Sequence, residues 1–94
     1  MIEFKTEYVI IAFDGRIIAI YHLDGRKAEF YHIDFVAASR ITTTRKGRPC
    51  FELTTQTVVG EIIGTVSLGV YDPKYMPQLQ TFVAAVNNAV AARP

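Results

Sequence analysis

Two histidine–aspartate pairs are the residues best suited by type to chemistry. Tyr21-His22-Leu23-Asp24 and Tyr31-His32-Ile33-Asp34 share the pattern Tyr-His-apolar-Asp, ten residues apart. On a strand, residues i and i+2 project to one face, so each pair offers an imidazole and a carboxylate to one zinc or manganese ion. Register argues against a joint site. A two- or four-residue turn between the strands makes paired residue numbers sum to an odd number, which puts His22 and His32 on opposite faces. A three-residue turn puts them on one face but about 13 Å apart, at about 3.3 Å per residue. Both read as strand-end residues beside turns. Cys50 opens a strand after a turn, where it reads as a small apolar residue with no histidine local to it. Ser39 and Ser67 lie in β patterns without a G-x-S-x-G elbow, and no glycine-rich run precedes a helix. The expectation is no enzyme, no cofactor, no metal and no small-molecule substrate, with metal-dependent hydrolysis ranked third among the readings of function.

Charge offers a second kind of chemistry. The chain has ten Lys and Arg against nine Asp and Glu, a net +1, but the cations cluster. Arg26, Lys27, Arg40, Arg45, Lys46 and Arg48 stand against Glu29 and Asp34 in residues 26–48. In an up-and-down meander alternate turns emerge at one end, so Arg26 and Lys27 should neighbour Arg45, Lys46 and Arg48. Such a rim attracts an anionic membrane or ligand, or simply keeps the protein soluble and its edges unpaired. No aromatic residue interleaves with it, which excludes base stacking and, with the near-neutral balance, a nucleic-acid partner.

These residues need elements to position them. Ninety-four residues suffice for one domain, residues 1–94, with strands over about 7–70 and a helix over about 74–92. The longest apolar runs, Tyr8 to Phe13 and Ile17 to Tyr21, are far shorter than the about 20 residues of a membrane helix. Met1-Ile2-Glu3-Phe4 lacks the basic start of a signal peptide, and a lone cysteine allows no internal disulfide, so the cytoplasm is the expected compartment. Asp14-Gly15 and Asp24-Gly25 separate the β-type runs 8–13, 17–23 and 28–33 and predict hairpins. Further strands follow over 36–44, 50–54 and 62–70, giving six or seven, with bulges at Gly60, Gly64 or Gly69.

After residue 71 the apolar period changes to 3.6. Met76, Leu79, Val83, Val86 and Val90, broadened by Phe82 and Ala89, form the stripe of one amphipathic helix that caps the sheet core. Gln78, Gln80, Thr81, Asn87 and Asn88 fall on its other faces. Its start lies at Asp72-Pro73 or at Pro77, and Arg93 suits the negative end of its dipole.

With Asp14-Gly15 as the turn, Phe13 faces Arg16. Tyr8, Ile10, Ala12, Ile17, Ala19 and Tyr21 then share one face, and Val9, Ile11, Phe13, Ile18 and Ile20 the other. Both faces are apolar, which a strand pair with one solvated side is not. Either a partner chain covers Val9, Ile11, Phe13, Ile18 and Ile20, making this face an interaction surface, or a bent pair contributes to two packed sheets.

The strand meander, second short sheet and closing helix resemble a pleckstrin-homology-like (PH-like) domain of the small bacterial type. The pattern includes Phe30-Tyr-His-Ile-Asp-Phe-Val36 leading into a long fourth strand, and covers about residues 7 to 92. The resemblance implies a mainly β (α+β) fold, a PH-like barrel or two packed antiparallel sheets closed by one C-terminal helix. A split β-barrel is the alternative. It also implies a non-catalytic protein-interaction or homo-oligomeric scaffold. Peripheral binding of an anionic membrane is the alternative, although the first turn, Asp14-Gly15-Arg16, lacks the basic residues of phosphoinositide-binding relatives.

Overall fold

Ile2-Glu-Phe-Lys5 alternates apolar and polar residues and forms a short strand, β1 (Ile2–Lys5). In the computed structural model, which describes residues 1–25, 27–70 and 72–93, six more strands follow: β2 (Val9–Phe13), β3 (Ile17–His22), β4 (Ala28–His32), β5 (Val36–Thr43), β6 (Pro49–Gln56) and β7 (Ile62–Gly69). They build two antiparallel sheets, β1-β2-β3-β4 and β5-β6-β7. A 3-10 turn, Ile33–Phe35, links the sheets, and a second, Pro73–Tyr75, leads into helix α1 (Met76–Ala92). The chain is therefore mainly β with one C-terminal helix. Its strands begin at Ile2 instead of about residue 7, and the two sheets do not join into a closed barrel.

The first hairpin keeps the expected faces on a different register. Phe13 pairs with Ile18, two residues beyond Arg16. Asp14 stays outside the turn as a cap, its Oδ1 accepting the N–H groups of Arg16 and Ile17 at 2.8 Å each. Gly15, at φ +98°, takes the first central position, where positive φ is required. Those hydrogen bonds also hold the Asp14 carboxyl below its usual pKa. A shift of two residues returns every side chain to its own face. In the second hairpin the His22 N–H meets the Lys27 carbonyl across a four-residue turn, so His22 and His32 do fall on opposite faces.

The inner face of the first sheet is the chain's own core. Val9, Ile11, Phe13, Ile18 and Ile20, read above as a surface for a partner, are at most 5% exposed. They pack with Phe4 of β1, Phe51 and Leu53 of β6, and Leu79, Phe82 and Val86 of α1. The interaction surface assigned to them is thus corrected: the second sheet and the helix cover that face. Phe82 meets Phe51 edge to face, with ring centroids 6.0 Å apart.

The helix start combines both candidate positions. The Asp72 side chain caps the 3-10 turn by accepting the Lys74 N–H at 2.9 Å, with Pro73 first in that turn. Pro77 then sits near the start of α1 proper. Asn87, read as an outer-face residue, instead bridges to β5. Its Oδ1 accepts the Ser39 N–H at 2.8 Å, and its Nδ2 donates to the Ser39 carbonyl at 2.8 Å. The carboxamide thereby replaces a neighbouring strand at the β5 edge. Arg93 donates to the carbonyls of Ile33 and Val36, tying the helix end to the link between the sheets.

Truncating Phe82→Ala should cost about 3–5 kcal/mol in urea unfolding. Asn87→Ala, which strands the buried Ser39 backbone groups, should cost about 1–3 kcal/mol. The neighbouring exposed Asn88→Ala should stay within about 0.5 kcal/mol of the parent.

Candidate interaction surface

The outer face of the first sheet is where the chain leaves apolar surface uncovered. Cross-strand pairing sets Ile10 opposite Tyr21, Ala12 opposite Ala19, and Ala19 opposite Phe30. The two alanines form a low floor. Around it rise Ile17, Tyr21 and Phe30, the last 61% exposed. The Tyr21 and Phe30 rings meet edge to face at 5.9 Å, which fixes both without covering either. The result is a shallow depression of about 240 Å³ lined by Met1, Ala12, Ile17, Ala19, Tyr21 and Phe30 together with Asp14. This is the face on which the sequence placed Tyr8, Ile10, Ala12, Ile17, Ala19 and Tyr21. Phe30 was missed there, although its position two residues before His32 placed it opposite β3.

A second apolar patch is the tip of the β6–β7 hairpin. Val58, Val59, Ile62 and Ile63 are all mostly exposed, between 63% and 79%. Gly60, at φ +88°, makes the turn between the pairs. The signal in the sequence is two aliphatic pairs separated by Gly60-Glu61, where a solvated turn carries polar residues.

The polar groups of β4 gather on Glu29. Paired with the buried Ile20, Glu29 lies on the inward side of an edge strand. It receives His22 Nε2 at 3.0 Å, Lys27 Nζ at 3.2 Å and the Tyr31 hydroxyl. The Tyr31 hydrogen bond, followed by those of His22 and Lys27, pulls the Glu29 carboxyl down to about 2 against the opposing effect of burial. Burial and the same hydrogen bond push the Tyr31 phenol up to about 12. An inward-pointing, fully partnered charge of this kind protects a sheet edge from pairing. His32 is separate: its Nδ1 accepts the Asp34 N–H at 3.1 Å and caps the first 3-10 turn. Among the described residues no group of three His, Cys, Asp or Glu side chains is arranged to hold a metal. Ser39 is committed to the Asn87 side chain and the Val83 carbonyl.

Arg48, in the turn after β5, lies at the end of the molecule that carries the β3–β4 turn. Arg48 lines a cavity with Glu7 and Tyr8, and those two line its neighbour with His22, Leu23 and Asp24. Lys27, Arg45, Lys46 and Arg48 are exposed, while Arg26 lies outside the described residues. Glu7, Asp24 and Asp72 share this end, so its field is mixed in sign. Among the described residues no helix is long and apolar enough to cross a membrane. No protein-family model matches the chain, and no curated protein matches it.

Because Glu29 is held at about 2 when folded and ionises near 4.5 when free, its contribution to stability is complete above about pH 4.5. It is lost as pH falls through 2. Glu29→Gln should therefore be less stable than the parent at pH 7, and the gap should close on acidification. Urea unfolding of both proteins across that range measures it.

Proposed function

We propose that the chain is a PH-like, non-catalytic scaffold domain that self-associates through the outer face of its first sheet. Four strands, then three, then a helix sealing the core support the PH-like reading. The observation that carries the self-association reading is the aromatic and aliphatic outer face around Ala12 and Ala19. Apolar surface of this kind, contiguous across strands, is uncommon on a monomer that remains one. A second copy presents the same face and covers it in an isologous contact. Contact with an anionic membrane through Lys27, Arg45, Lys46 and Arg48 has weaker support. Lys27 is already paired with Glu29, and Arg48 lines a cavity with Glu7 and Asp72.

Light scattering on a size-exclusion column should give a defined oligomer whose mass is the same at low and high salt, since an apolar contact is not screened. Phe30→Glu should lower that mass with the far-ultraviolet circular dichroism unchanged. A wild-type monomer at both salt concentrations would sink the proposal.

A further inference from the structure

The two edges of the second sheet are treated differently by the chain. At the β5 edge, the outward N–H and C=O of Ser39 are taken by Asn87 of α1. At the β7 edge nothing corresponds. Val70 donates its N–H to Pro49 on β6, and hydrogen bonding alternates along an antiparallel ladder. Gly64, Val66, Leu68 and Val70 therefore turn their backbone groups toward β6, while Thr65, Ser67 and Gly69 turn theirs away; beyond Gly64 the register shifts, Gln56 pairing with Ile62. Among the described residues no backbone group accepts or supplies a hydrogen bond there. The strand, Ile62-Ile-Gly-Thr-Val-Ser-Leu-Gly69, also lacks any charge or proline. Charge and proline are two of the devices that keep an exposed edge from pairing; a third, an irregularity in register, is confined to the N-terminal end of β7, opposite Thr55 and Gln56.

We propose that β7 is a docking edge for β7 of a second copy, the two strands running antiparallel about a two-fold axis at Val66. This surface is separate from the outer face of the first sheet and goes beyond that reading. The phase of the ladder decides the register. Outward-directed residues must face one another, so Thr65 stands opposite Ser67 of the second copy and Ser67 opposite its Thr65, each pair exchanging two hydrogen bonds. Val66 meets its own copy on the axis. Polar residues meet polar ones on the outer side, Val66 meets Val66 on the core side, and no like charges oppose.

The two ends of β7 point to a second copy over an unrelated strand. Beyond its N-terminal end stands the apolar tip with Val58 and Val59. Beside its C-terminal end lies a cavity of about 290 Å³ lined by Tyr8, Val70 and Tyr75 beside the charged Glu7, Arg48 and Asp72. Antiparallel pairing brings the N-terminal end of each strand alongside the C-terminal end of the other. Each tip thus arrives beside the other copy's cavity, and the contact is made twice by symmetry.

The test uses the full chain with Cys50→Ser and Val66→Cys. Facing Cα atoms in a non-hydrogen-bonded pair lie about 4.5 Å apart, within disulfide reach. With oxidised glutathione as the oxidant, a covalent dimer should form in high yield. An Asn88→Cys control on the exposed side of α1 should not cross-link. Ser67→Pro removes one outward N–H per copy but no bond within the chain. It should weaken dimerisation of the Phe30→Glu protein about tenfold, whereas Ser67→Ala, which keeps the backbone, should not. Circular dichroism and thermal unfolding establish that each variant is folded.

If both surfaces operate, the wild type exceeds a dimer and Phe30→Glu leaves a dimer held by β7. If Phe30→Glu is a monomer and Val66→Cys does not cross-link, the β7 proposal is overturned while the sheet-face reading stands. If the Val66→Cys dimer forms and Phe30→Glu leaves the wild-type mass unchanged, the sheet-face reading fails and β7 carries the assembly.

Discussion

Among the described residues the two sheets share no hydrogen-bonded strand pair, so their union rests on side-chain packing, and α1 is what completes it. The helix touches β1 of the first sheet and β5 of the second. It buries Leu79, Phe82 and Val86 in the core between them. Packing alone is non-directional, and the directional part comes from a few polar side chains. Asn87 fixes the helix along β5 by taking both backbone groups of Ser39, and Arg93 anchors its end to the Ile33–Val36 link.

Sealing the core on one side settles what is left on the other. A four-stranded sheet has two faces. Once the second sheet and helix cover Val9, Ile11, Phe13, Ile18 and Ile20, the remaining face must meet either solvent or another molecule. Here it carries the exposed Tyr21 and Phe30, ring against ring. The edges show a parallel asymmetry: β4 has Glu29 directed inward with three partners, and β5 has the helix. β7 has neither. The surfaces proposed for association are the parts of the sheets that the chain's own protective devices do not reach.

Much of the architecture was legible because it depends on local rules. The Asp-Gly pairs placed two hairpins. The 3.6-residue period from Met76 placed the helix, and Asp72-Pro73 its capped approach. The odd sum of paired residues in the second hairpin separated His22 from His32, as the observed register requires. What escaped was small or non-local. β1 is four residues long and gains its partner only from β2. Asn87 lies on the helix's polar side by periodicity, and its role needs Ser39, 48 residues earlier in the chain. The first hairpin slipped by two residues because Asp14 serves as a cap outside the turn, a choice that the dipeptide signal does not resolve.

The sequence by itself determined which residues alternate, where the chain turns, and that both faces of the first hairpin are apolar. A strand's period of two assigns each side chain to one of two faces whatever the register, provided the slip is even. Only the tertiary structure decided which face became core, because that choice depends on the side from which the second sheet and helix approach. This is a property of the packed whole that no local pattern encodes.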